Sequence, residues 1–383
     1  MPENDSVTAS VATRDEINAS SIWRAAFAGQ RKDRRYYELV NDMLQQDFEF
    51  RYLLLEGPGR RAAMQPFFIL DQDLTAGAGA LLRSGVVSIR RVWPRFLKMR
   101  TLMVGCAAGE GHLDAEWTGE FLGVVLRRLA REFGTPLMVM KEFPSRYRAA
   151  LAPLTRLGFT RVPSLPMTRL DIDYAGFDDL VARSLGKATR KSLRRKLRVA
   201  DTAQPPIELQ VVDDVTPFID EIYPLYLAVF ERSTLHFEKL TREFLCAVGR
   251  RMPDKVRFFI WRRAGRAVAF SLCMIHGDTI YDEYLGLDYS VALELHLYFS
   301  TLRDIVDWAI ARGLKQYVSS ALNYDPKLHL RCDLVPLDLY VAHRSPFLNA
   351  VMKRLLPLLE PTRNDPLLRR FPNFGELWGE RDR

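Results

Sequence analysis

At 383 residues the chain is longer than one hydrophobic core ordinarily serves, and its length points to two domains. With 48% apolar and 27% charged residues and no low-complexity tract, the composition excludes a collagen-like or wholly disordered chain; no run of 18 apolar residues occurs, which excludes a membrane-spanning helix. The net charge of +8 favours anionic partners, such as phosphorylated co-substrates, RNA or an anionic lipid surface, without choosing among them.

The opening MPENDSVTASVAT is polar and acidic where a secretory signal is basic and then apolar, so a cytoplasmic protein is expected, with residues 1–13 disordered. Cys106, Cys246, Cys273 and Cys332 lie far apart with no C-x-x-C pair, which argues against a disulfide framework and a zinc site. Residues 14–55 read as helical and basic-aromatic. After Gly57-Pro58-Gly59 the pattern turns to strands: AAMQPFFIL, GVVSIRRVW and RTLMVGC. A helix is expected from about Glu116 to Phe133, with Asp114 as its N-cap, an apolar stripe of Trp117, Phe121, Val125, Leu129 and Phe133, and Gly134 as its stop. A strand TPLMVMK, a helix around SRYRAALAPLTRLG and a strand pair FTRVP and PMTRLDID complete the first half.

The second half repeats this order. VRFFIWRRA, RAVAFSLCMIHGD and TIYDEYLGLDY read as strands, a helix through Leu302, Ile305, Val306 and Ala309 stops at Gly313, and LKQYVSS and PLDLYVAH are strands again. Two copies of one α+β unit are therefore expected: a first domain over 14–184, a basic linker helix over 185–205, a second domain over 206–345, and a C-terminal helix and strap over 346–383. FPNF at 371–374 is expected to dock the strap.

Between the strand RTLMVGC and the first long helix lies a loop of small residues, with Gly105, Cys106, Gly109, Gly111 and His112. Backbone N–H groups opening a helix carry partial positive charge and lack partners within it, so such a loop suits a diphosphate. A dinucleotide fingerprint is excluded by the G-x-x-x-G-x-G spacing and by strands that arrive as a meander. The alternative is that the small residues let helix and sheet pack closely.

Cys106-Ala107-Ala108-Gly109-Glu110-Gly111 resembles the pyrophosphate motif of GNAT acyltransferases, Q/R-x-x-G-x-G/A, with Cys106 standing where Gln or Arg is usual. LGKATRKSLRRKLRVAD at 185–201, a basic run around Leu193, Leu197 and Ala200, resembles the K-x-x-R-x-x-[IL]-R-[KR] segment that introduces the second of two GNAT-like domains in the Fem-type (FemAB-like) aminoacyl transferases. The resemblance covers roughly residues 60–345. It implies tandem GNAT-like domains, each a mostly antiparallel central sheet flanked by helices. It also implies an N-acyltransferase moving an acyl or aminoacyl group from an acyl-CoA or acyl-carrier thioester to an amine, with no permanently bound cofactor. Gly105, Cys106, Gly109, Gly111 and His112 would then face the co-substrate.

Strand alternation in TIYDEYLGLDY sets Asp282, Tyr284 and Gly286 on one face and Tyr281, Glu283 and Leu285 on the other. Two adjacent acids in a strand are hard to bury, so Asp282 or Glu283 is the candidate base, with Tyr284 or Tyr281 as the acid. The polar stretch 319–340 supplies a candidate substrate site: Tyr324, Lys327, His329 and Arg331, the last three sharing a face if extended, with Lys327 the nearest match to a family lysine. The histidines lack ligand spacing, so no metal is expected.

A small-molecule, lipid or cell-envelope amine is the expected acceptor. The basic segment 187–198 could meet an anionic ligand, a membrane surface or, less favoured, nucleic acid. The alternatives are a catalytically silent module binding an anionic envelope precursor or RNA, and an aminoacyl-tRNA-dependent transferase. A variant of the enzyme reading rests it on the inner membrane surface through the tail helix FLNAVMKRLLPLLE.

Overall fold

Among the described residues fourteen strands run along the chain: β1 (Thr8–Ala12), β2 (Glu49–Glu56), β3 (Ala63–Asp73), β4 (Lys98–Val104), β5 (Leu137–Pro144), β6 (Thr160–Pro163), β7 (Met167–Asp171), β8 (Ile207–Val212), β9 (Val256–Arg263), β10 (Arg266–His276), β11 (Thr279–Leu287), β12 (Gln316–Ser319), β13 (Asp333–Val335) and β14 (Leu337–His343). The computed structural model describes residues 7–73, 86, 88–91, 93, 96, 98–233, 237–363 and 365–379. The chain packs as two units. The first holds Met1–Ser164, Leu235–Glu238 and Pro336–Asn364; the second holds Leu165–Thr234, Lys239–Val335 and Asp365–Arg383.

Unit 1 is built on a seven-stranded sheet of order β1-β2-β3-β4-β5-β14-β6. β1 to β4 form an antiparallel meander, and β4 and β5 run parallel. A parallel pair needs a crossover, here the helix α1 (Thr118–Glu132). Its Leu122, Leu126 and Leu129 join Leu102, Met138 and Phe143 of the sheet in one core. A second helix, α2 (Arg148–Arg156), lies against α1 so closely that a Cβ on Gly119 would meet the Ala150 carbonyl oxygen at 2.2 Å.

Unit 2 repeats this plan in the order β8-β9-β10-β11-β12-β7-β13. β11 and β12 are the parallel pair, joined through the helix α4 (Leu297–Ile310), and the basic helix α3 (Lys187–Asp201) packs on α4. Leu193, Leu197 and Ala200 are the buried stripe of α3, as the sequence indicated. The strap docks as well: Phe371 packs with Tyr324 and Leu334, and Asn373 pairs with both the N–H and the C=O of Leu334 at 3.0 and 2.9 Å.

The two copies expected from the sequence are present, but their boundaries differ. β7, placed with the first domain, lies in the sheet of unit 2, and β14, placed with the second, lies between β5 and β6 of unit 1. FTRVP and PMTRLDID are therefore not a strand pair. The expected division at 184/185 falls inside unit 2.

Other expectations change locally. Residues 8–12, expected disordered, are the edge strand β1, and 49–55, read as helical, belong to β2. Within GVVSIRRVW, residues 86 and 88–90 are helical and the rest lie largely outside the described residues. The N-cap of α1 is Trp117. Asp114 instead accepts from the Phe27 and Met64 N–H groups, each at 2.9 Å, and from Arg61, so it anchors the loop below the helix.

Candidate functional site

In unit 2 the parallel pairing of β11 with β12 runs from Thr279–Gln316 to Asp282–Ser319, closed by the Ser320 N–H on the Asp282 carbonyl. Beyond that point the two strands have no shared ladder. On its other side β11 pairs with β10, and there the register slips: Leu272 faces Tyr284, whereas Cys273 faces Asp282. Glu283 is thus the extra residue of a β-bulge, a device that re-aims side chains.

The bulge overturns the expected facing. Partners across a ladder share a face, so Asp282 lies with Ile280 and Leu285, opposite Cys273 and Ser271, while Tyr281 and Tyr284 lie on the other face. Tyr284 is therefore on the side away from Asp282, where its ring meets Tyr226 edge-on at 6.5 Å.

Asp282 is half-buried and accepts from three directions. The Tyr317 hydroxyl donates to it at 2.8 Å, the Ser271 hydroxyl makes a short bond, and the Cys273 thiol lies at 3.9 Å. Burial raises the pKa of Asp282 above the ordinary aspartate value, against the pull of these donors and of Lys327. Burial also drives the Cys273 thiol and the Tyr317 phenol well above their usual values, so both remain protonated and serve as donors. The sequence indicated Asp282 but missed Ser271 and Tyr317. They come from β10 and β12, and only strand pairing brings them to it.

Residues 324–331 are not extended. Tyr324–His329 form the short helix α5, preceded by Leu322 and Asn323 and followed by Arg331, all with positive φ. Lys327, His329 and Arg331 therefore do not share a face. Lys327 is buried, and its ammonium donates to the carbonyls of Ser320 and, at 2.8 Å, Leu322. Non-glycine residues with positive φ hold strained backbone, and here that backbone presents the Leu322 carbonyl to the lysine. Tyr324 is buried, its hydroxyl donating to the Pro166 carbonyl at 2.8 Å. His329 and Arg331 are exposed, with His329 Nδ1 2.7 Å from the Asp325 carbonyl oxygen. Of the four, Lys327 alone stands in the electrostatic neighbourhood of Asp282.

Burial lowers the pKa of Lys327 from 10.5 to about 8, partly offset by Asp282. Between these values the native state has released a proton that the unfolded chain still holds, so unfolding free energy should rise with pH across pH 8 to 10.5. The rise should be on the order of 3 kcal/mol. Urea titrations at both ends of the window check it, and the increment should vanish in Lys327→Met.

In unit 1 the matching parallel pair runs from Thr101–Leu137 to Val104–Met140. Buried Val104 thus holds the ladder position that Asp282 holds in unit 2. The loop that follows turns inward. Gly105, Cys106, Gly111 and His112 are buried and Gly109 is half-buried. The Gly111 N–H is spent on the Glu142 carbonyl at 3.0 Å, and a Cβ there would meet the Lys141 carbonyl oxygen at 2.6 Å. The small residues at Gly105 and Gly111 let the loop lie against β5.

Glu110 anchors this loop. Its carboxylate takes the Arg31 guanidinium, the Lys32 ammonium at 2.7 Å and His112 Nε2 at 3.1 Å, all buried. Arg146 reaches His112 Nδ1 at 2.9 Å. An arginine can only donate, so Nδ1 accepts and the ring proton sits on Nε2 toward Glu110. His112 is thereby fixed in place. Burial, then Arg31, pushes Lys32 down to about 7, opposed by Cys106 and Glu238.

Beside α3 a cleft of about 250 Å³ is lined by Thr189, Ser192, Lys196, Phe299 and His329 among others, with the Lys196 ammonium 3.9 Å from the Phe299 ring centre. The cleft thus brings together the basic helix, the start of α4 and α5.

Comparison with known proteins fits this division. Residues 187–325, almost wholly in unit 2, match the family described as Acetyltransferase (GNAT) domain. That segment resembles a GNAT acetyltransferase domain. The whole fold resembles the crystal structure of FemX, with a TM-score of 0.51, 10% identity and coverage of 86% of this chain and 96% of that one. A tandem GNAT protein from the clavulanic acid biosynthesis pathway matches at a TM-score of 0.45 and 11% identity over 89% of this chain and 99% of that one. Curated relatives named "Putative 8-amino-7-oxononanoate synthase 2", from two strains of Mycobacterium tuberculosis, are 24% identical over 79% of this chain. The chain spans 41% of their length.

The chain thus has a FemX-like fold of two GNAT-like units. The Cys106 departure from the GNAT motif falls in unit 1, and the family match falls on the unit that carries Asp282. Among the described residues no helix is long and apolar enough to cross a membrane.

Proposed function

We propose that the GNAT domain of unit 2 transfers an acyl or aminoacyl group from a thioester, acyl-CoA or acyl-carrier, to an amine, with Asp282 as the general base. The observation that carries this reading is a carboxyl of raised proton affinity at the bulge where the β11–β12 pairing ends. A base whose pKa lies nearer the working pH transfers protons more effectively, and burial supplies that shift. Asp282 takes the amine proton as the C–N bond forms. Collapse of the tetrahedral intermediate breaks the C–S bond, and the proton held by Asp282 is the one the leaving thiolate requires.

The cleft with Thr189, Ser192 and Lys196 is the proposed approach for an anionic co-substrate, and the acceptor is proposed to be an amine of the cell envelope. The glycine loop of unit 1 is proposed as a packing element.

Thermal unfolding with acetyl-CoA, longer acyl-CoAs, free CoA and aminoacyl-tRNA tests the reading. A ligand at about 100 times its Kd adds about 2.7 kcal/mol. A rise in midpoint that depends on the acyl group and survives in Gly109→Asp is expected. A rise abolished by Gly109→Asp would return the donor to unit 1, and no response to any thioester would sink the proposed donor class.

A further inference from the structure

The helix α6 (Pro346–Leu359) of unit 1 has its sides reversed for a water-facing helix. Its inner side is pinned by a polar residue: Asn349 donates to the Gly158 carbonyl at 2.8 Å and accepts from the His343 N–H at 2.8 Å. Its outer side is apolar. Phe347 is 75% exposed, Leu348 44%, Val351 39%, Leu355 46% and Leu358 62%. Spacings of four, four and three from Phe347 through Val351 and Leu355 to Leu358 keep these residues on one stripe.

An exposed apolar stripe of this kind marks a binding surface. The charges around it say what it binds. From Arg344 to Leu359 the chain holds no acidic residue, and its three charged side chains, Arg344, Lys353 and Arg354, are basic and exposed. Arg354 borders the stripe and Lys353 lies beyond it. A second copy docked about a two-fold axis would bring this all-basic margin against itself. An anionic lipid surface meets both features, accepting the apolar residues below its headgroups and the basic ones among them.

We propose that α6 is an interfacial helix that seats the enzyme on an anionic lipid bilayer, with Phe347, Val351, Leu355 and Leu358 inserted and Lys353 and Arg354 at the headgroups. The chain thereby meets a lipid-linked or membrane-held substrate from the bilayer face.

The test is sedimentation of the full-length protein with vesicles of phosphatidylcholine alone or of an equal mixture with phosphatidylglycerol. Binding to the mixed vesicles that weakens with salt is expected. Each basic residue near an anionic surface contributes about a factor of five, so Lys353→Ala with Arg354→Ala should cost about thirtyfold. Val351→Asp with Leu355→Asp should abolish binding, and all four side chains are exposed, so unchanged circular dichroism and thermal midpoint are expected. No binding to mixed vesicles, or binding indifferent to the aspartate pair, overturns the proposal. So does a dimer in light scattering that the aspartate pair dissolves while the wild type ignores vesicles, since a second copy would then cover the stripe.

Discussion

Asp282→Asn is expected to lower kcat by about 100-fold to 10,000-fold, the range supplied by a positioned base, while leaving the thermal midpoint unchanged or slightly raised. The two effects have one origin. Burial holds the Asp282 carboxyl above the ordinary aspartate pKa, so its charged form costs the native state stability that a neutral amide does not. Asparagine keeps the shape and can still accept from Tyr317 or Ser271, but it cannot take a proton.

The pH profile carries the same signature. In the wild type, kcat/KM should climb with pH through the raised pKa of Asp282, and Tyr317→Phe, by removing a donor to the carboxylate, should move that limb to higher pH. Wild-type turnover in Asp282→Asn would remove Asp282 from the chemistry. An unmoved limb in Tyr317→Phe would assign the limb to another group.

Glu110→Ala is expected to have the largest effect on stability, about 3–5 kcal/mol, because it leaves a buried guanidinium and a buried ammonium without their shared counter-charge. The same change removes the acceptor of the His112 ring proton. Denaturant unfolding, followed through the transition of unit 1, gives the number. A loss under about 1 kcal/mol would mean that Arg31 and Lys32 find water or other partners, and that the loop is less rigid than its hydrogen bonds indicate. If both results hold, the two copies have unlike roles: one holds a carboxylate for chemistry, the other for architecture.

Most elements were legible in the sequence, because periodicity and turn residues are local signals. The stripe of α3, the two crossover helices with their glycine stops at Gly134 and Gly313, and the strands from β9 to β12 all follow from spacing. The N-terminal region was less legible. β1 and β2 are short of strong alternation and owe their state to pairing with each other and with β3.

At the site, Asp282 stood out as one of two adjacent acids within a strand, and Lys327 as a cation in a polar stretch and the nearest match to a family lysine. Glu283, Tyr284, His329 and Arg331 shared that prominence, and the sequence could not rank them. The bulge at Glu283 and the helical turn at Tyr324–His329 did so by setting which side chains face inward.

By itself, then, the sequence determined the inventory: two α+β copies, a basic helix opening the second, a pair of candidate acids in β11 and a helix near the end. These rest on composition and period, which each segment carries alone. The tertiary structure decided which strands belong together. β7 and β14 each join the sheet of the other half of the chain, because a strand of alternating pattern fits any edge of matching register and only the assembled sheets offer one. It also decided where the glycine loop lies. Loop and diphosphate compete for the same N–H groups, and in unit 1 the Glu142 carbonyl holds that of Gly111.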